Sequence, residues 1–183
     1  MRQVATRKPV IAYATPALEQ DVRVWGPLSL VLYGSSTSLD TIWFVKMGDV
    51  GPDGNVQLLS QGHLKASFRK IDEAQSLPGR PFHTFQNPVR PEPNKIYEYQ
   101  LELIPIFHTF KAGHKIWLQI ANDDFEFHLP LHTLYTAEMV PVPSTNSIYH
   151  DSKHPSHLLL PVISDAPVIK PVEPPMSDIK WPL

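Results

Sequence analysis

Nine histidines and no cysteine leave imidazoles and carboxylates as the side chains able to hold a metal, and hydroxyls as the only ordinary nucleophiles. The densest group is His150-Asp151, His154 and His157. A zinc or iron site needs three or four ligands converging on one point. On a strand, two ligands share a face only when they are two residues apart, and this spacing is wider. Pro155 makes the stretch a turn. We therefore read it as a loop in which Asp151 and Ser156 hydrogen-bond the backbone and His150, His154 and His157 cover the surface. No metal or other cofactor is expected. His108 with His114, and His128 with His132, read as loop and strand-edge residues. Acyl transfer by serine in an α/β-hydrolase needs a nucleophile on a strained strand-to-helix turn, written Gly-x-Ser-x-Gly. That pattern does not occur. Gly34-Ser35-Ser36-Thr37-Ser38 is the nearest cluster, and it reads as a polar turn with no helix behind it. No catalytic residue is expected, unless a triad is assembled from distant parts of the chain.

Aromatic side chains gather in two long connections. Phe82, His83, Phe85 and Arg90 fall in one, and Phe125, Phe127, His128 and Tyr135 in the other. Such loops suit either sugar stacking, as in a carbohydrate-binding module, or docking onto another domain. Composition favours docking, and Phe82, His83, Phe85, Phe125 and Phe127 are the candidate docking or ligand residues.

The elements that must carry these residues are strands. Tyr97, Tyr99, Leu101 and Leu103 alternate with Glu98, Gln100 and Glu102, which is a strand with one wet face. Leu64, Ala66 and Phe68 repeat the pattern, as do Ile116, Leu118 and Ile120. Val22 to Leu32 reads as a long strand with a bend or bulge at Gly26-Pro27. Thr41 to Val50 is apolar on both faces and ends in Gly51-Pro52-Asp53-Gly54, a turn of the right chemistry. Val56 to Ser60 returns as the second arm of a hairpin, and Ser156 to Ile163 is a final strand. Residues 70–82 allow one helical turn before Pro78 and Pro81. Eight or nine short strands with turns between them predict an antiparallel all-β sandwich or barrel.

Length supports one domain: 183 residues can bury a core but cannot also hold a catalytic α/β domain. We expect a sandwich over residues 1–163 and an extended proline-rich tail over 164–183. Twenty prolines against eight glycines favour short strands and ordered loops. A formal net charge of −2 gives no basic face for nucleic acid. No apolar run approaches a membrane span, no secretory signal is visible, and the compartment is left open.

A series of segments carries a resemblance. Val10 to Glu19, Val24-Trp-Gly-Pro27, Tyr33 to Ser36, Asp40 to Lys46, Asp49 to Gly54, Gly62 to Arg69, His108 to His114 and Tyr149 to Ile163 follow one another in family order. Together they resemble the C-terminal β-sandwich domain of Xaa-Pro dipeptidyl-peptidases, cocaine-esterase-like acyl esterases and α-amino-acid ester hydrolases, over residues 9–163. The resemblance implies a jelly-roll sandwich of the galactose-binding-like kind. In that family it packs on an α/β-hydrolase domain, which supplies the catalytic triad, and helps wall its pocket. None of the family's catalytic residues maps onto this chain. Members of the family extend further upstream than the stretch matching Val10. One or more N-terminal strands are thus expected to be missing, leaving an edge that favours self-association.

Overall fold

Strand β2 (Val22–Ser36) organises the molecule, because its alternate residues Val22, Val24, Leu28, Leu30 and Leu32 are all buried. The computed structural model describes residues 10–122 and 144–163. Residues 1–9, the segment 123–143 with Phe125, Phe127, His128, His132 and Tyr135, and the tail 164–183 lie outside the described residues.

Around β2 stand β1 (Ile11–Ala14), β3 (Ile42–Val50), β4 (Val56–Lys65), β5 (Tyr97–Phe110), β6 (Lys115–Ala121), β7 (Asn146–Tyr149) and β8 (His157–Leu159). One antiparallel sheet runs β1-β6-β3-β4; the other runs β5-β2-β7, with β8 also pairing to β2. The two sheets face each other across a single apolar cluster that draws on both, including Trp43, Val45, Met47, Leu64, Tyr99, Leu101, Leu103, Phe110 and Ile120. This is the all-β sandwich that the alternating side chains require.

Several local expectations hold in detail. The Gly26-Pro27 bulge is present: Gly26 stands opposite Ile106 but Leu28 opposite Leu103, so β5 carries one extra residue there. Pro27 and Pro105 both fall in this interruption, where no ladder N–H is needed. Burial on β5 changes phase at the same place, from Tyr99, Leu101 and Leu103 to Ile106 and Phe110. Strand β3 is buried on both faces. Its turn into β4 closes with the Gly54 N–H donating to the Gly51 carbonyl at 2.9 Å, with Gly54 at a φ of 78°.

Two strand expectations fail: the final strand is only His157–Leu159, with an isolated bridge from Val162 to Val24 beyond it, and the Leu64 to Arg69 strand breaks. The alternation from Leu64 to Arg69 is not one strand, since β4 ends at Lys65 and Ala66–Phe68 form a 3₁₀ turn. The Asp40 carboxylate decides this by accepting both the Thr41 and the Ser67 N–H at 3.0 Å. An acceptor fixed there bends the chain away from the ladder. The turn at 72–76 is a single capped turn: the Asp72 carboxylate accepts the Ala74 N–H, and the Asp72 carbonyl accepts that of Ser76 at 3.0 Å.

The sandwich closes along one side where β4 meets β5. The Ser60 hydroxyl donates to the Ile104 carbonyl at 2.6 Å, and a Cβ on Gly62 would lie 2.2 Å from the Glu102 carbonyl oxygen. Only glycine lets the backbones approach so closely.

Candidate functional site

The most developed polar constellation among the described residues lies between the sheets. β3 ends in the hairpin turn, and Asp49, one residue before that end, continues the inward phase of Trp43, Val45 and Met47. On the facing sheet, His108 continues the inward phase of Ile106 and Phe110. A short turn then returns the chain at His114, whose N–H donates to the Lys111 carbonyl at 3.0 Å, just before β6 begins. The Asp49 carboxylate is 5% exposed and binds both rings, His108 Nε2 at 2.8 Å and His114 Nδ1 at 2.9 Å. A carboxylate only accepts, so both of these nitrogens carry protons and each ring's orientation is set. The His108 ring also stands edge-on to Phe110, with centroids 4.7 Å apart.

An aspartate on a histidine Nδ1 is the orienting half of an acyl-transfer triad. Here the same carboxylate is shared with a second imidazole. Among the described residues, no hydroxyl is hydrogen-bonded to a histidine ring. The same residues contain no group of three or more His, Cys, Asp or Glu side chains placed to hold a metal ion. The arrangement is suited to clasping the two sheets at one end, with the carboxylate's acceptors met by two ring N–H donors. Sequence reasoning passed over it. The signal was present as phase: Asp49 and His108 sit at inward positions of apolar strands, and a polar group buried in phase must find a partner.

The three histidines of the 150–157 loop do not converge. His154 Nδ1 binds its own Asp151 at 3.1 Å, and the ring packs against Tyr33 and Tyr149. His157 Nδ1 donates to the Pro155 carbonyl at 2.6 Å, and His150 stands edge-on to Tyr13 with centroids 6.3 Å apart. Hydrogen bonds from His154 and from the Lys153 N–H hold the Asp151 carboxyl below the usual aspartate range. Ser156 accepts the Tyr33 N–H at 2.8 Å, tying this loop to β2.

The loop from residue 71 to 94 has a different character. His83, expected to be displayed with its aromatic neighbours, is instead buried, at 9% exposure. Its Nδ1 faces the carbonyls of Phe68 and Lys70 at 3.0 and 3.2 Å, and its Nε2 faces that of Gln100 at 2.8 Å. The ring therefore pins the loop along the open edge of β5. Arg69 adds a second pin, donating to the Val89 carbonyl at 2.5 Å while lying over the Tyr97 ring at 4.2 Å. Held this way, the loop exposes Leu77, Phe82, Phe85 and Val89. Phe85 is 63% exposed at a φ of 51°, a left-handed conformation uncommon for a bulky residue. Its ring leans on Phe68 and His83 at centroid distances of 5.9 and 5.7 Å. Of the sequence-predicted residues, then, Phe82 and Phe85 are displayed on the pinned loop and His83 lies beneath it. Phe125 and Phe127 lie outside the described residues.

Comparison with known proteins places this geometry. The chain is 29% identical over 167 residues to the cocaine esterase of a Rhodococcus species, covering 88% of this chain and 27% of the esterase. It thus spans about a quarter of that relative's length. Among solved structures, a CocE/NonD family hydrolase from Staphylococcus aureus shares the fold with a TM-score of 0.73 at 19% identity, over 85% of this chain and 33% of that one. An aminopeptidase from a marine sediment archaeon of the Thaumarchaeota matches with a TM-score of 0.65 at 25% identity, over 89% of this chain and 27% of that one. Residues 3–159 match the family described as the X-Pro dipeptidyl-peptidase C-terminal non-catalytic domain, and the chain belongs to that family.

Proposed function

We propose that this chain is the accessory domain of a serine hydrolase, an acyl esterase or Xaa-Pro dipeptidyl-peptidase. In this reading it packs on the α/β-hydrolase domain and forms one wall of the substrate pocket. The observation that carries the reading is the pinned loop. Leu77, Phe82, Phe85 and Val89 are exposed on backbone that His83 and Arg69 hold in place. Apolar side chains fixed in position before binding lose little entropy on docking. Acyl and peptidyl pockets work by excluding water and holding the acyl group in line, and a rigid wall serves both needs without moving a proton. Family membership and the short share of the esterase that the chain spans support a catalytic partner supplied by other sequence.

The direct test is to assay the purified chain with p-nitrophenyl esters and Xaa-Pro p-nitroanilides. Turnover should not rise above buffer. Turnover that a serine-directed inhibitor abolishes would overturn the reading.

A further inference from the structure

The outer face of the β5-β2 sheet carries an apolar patch framed by charges of both signs. Residues directly opposite one another on antiparallel strands project to the same side. Trp25 stands opposite Phe107, and their rings pack with centroids 4.1 Å apart. Two residues along on the same face, Arg23 stands opposite Thr109. The next row is Asp21 with Lys111, whose ammonium donates to the Asp21 carboxylate at 2.9 Å. In the other direction Ile104 continues the outward phase of Glu98, Gln100 and Glu102 on β5. Beside β2, Val162 is bridged to Val24 and packs on the core. Ile163 therefore turns outward, its N–H donating to the Arg23 carbonyl at 3.0 Å. Phe107 is 71% exposed, Trp25 58%, Ile104 56% and Ile163 39%. Scattered single apolar side chains are ordinary on a protein surface, but a packed aromatic pair with apolar neighbours on both sides calls for an occupant.

We propose that the occupant is a second copy of this chain, seated on the same face in a two-fold dimer. The argument is self-complementarity, which an isologous contact demands. Each of the three rows joins unlike partners: Asp21 with Lys111, Arg23 with Thr109, Trp25 with Phe107. A two-fold axis lying along the strands, midway between β2 and β5, sets each residue over its cross-strand partner in the other copy. Acid then meets base, indole meets phenyl, and no like charges are opposed. The strands of the two copies run in the same sense, as in the aligned packing of sheet on sheet. The area also suffices. At roughly 200 Å² of side chain each, Trp25 and Phe107 offer about 250 Å² at their exposures. Ile104 and Ile163 bring the apolar part to roughly 400–500 Å², well over half of the ~800 Å² that each partner of a specific interface buries. A formal net charge of −2 opposes association only weakly. The docking of loop 71–94 described above is not required for this proposal.

Sedimentation velocity of the full chain through the micromolar range provides the test. A species of twice the chain mass should form reversibly with concentration. Phe107→Glu should weaken it by about tenfold or more with Tm nearly unchanged, because the side chain is exposed. Asp21→Lys sets like charges across the contact and should weaken it several-fold. That variant brings the formal net charge from −2 to zero, so relief of general repulsion would act the other way. Phe82→Ala with Phe85→Ala should leave the dimer intact, which separates this contact from the one proposed for the loop. A chain that stays monomeric throughout overturns the proposal. So does a dimer that survives Phe107→Glu or Asp21→Lys undiminished, or one that is lost through the loop variant.

Discussion

Asp49 shows what one buried charge can do in a sandwich without disulfides. The chain has no cysteine, so no disulfide cross-links the sheets. The carboxylate instead ties β3 to His108 on β5 and to His114 ahead of β6. Asp49→Ala should lower unfolding stability by about 2–3 kcal/mol, because it leaves two partly buried ring N–H groups without acceptors. Asp49→Asn should cost roughly half as much, since its amide accepts from one ring and donates to the other once that ring changes tautomer. Urea denaturation of the three chains measures this. Equal midpoints for all three would mean that the clasp contributes nothing. The residue scale was also where the sequence was hardest to read. His108 and His114 looked like edge residues because strand periodicity reports which face a side chain takes, and not which partner meets it across the gap. His83 looked like part of an aromatic display for the same reason. Its three carbonyl partners come from Phe68, Lys70 and Gln100, and no local pattern announces such contacts.

Strands were more legible, because burial on a pleated sheet writes a period of two directly into the chain. The bulge at Gly26-Pro27, the doubly buried β3 and the Gly51–Gly54 turn were each visible in residue order. The end of β4 was not, because the Asp40 side chain bends the backbone at Ser67 from 27 residues away. The close crossing of β4 and β5 also gave no warning, though it makes a clear demand. Gly62→Ala would place a methyl 2.2 Å from the Glu102 carbonyl oxygen, which is backbone and cannot swing aside. The expected loss is about 2–3 kcal/mol, or roughly 5–10 °C in Tm for a domain of this size. Differential scanning calorimetry decides it, and an unchanged transition would mean the two strands separate at little cost.

At the scale of the whole molecule, the proposed role turns on one face being fixed before it meets a partner. A hydrolase domain of the same family, supplied as a separate chain, should bind this one through the 71–94 loop. Phe82→Ala with Phe85→Ala should weaken that binding about tenfold or more while leaving Tm nearly unchanged, because both side chains are exposed. Titration calorimetry gives the affinity, and undiminished binding would move the interface elsewhere. The far side of β2 points to a different property. Two short pieces, β7 and β8, share that border, with the loop held by Ser156 between them. An incoming strand from another molecule finds no long straight run of free amides there, only two stubs and a kink. Such a border is a poor template for stacking chains into fibrils, so the isolated domain is guarded on that flank against cross-β growth at concentrations where a smooth margin would seed it.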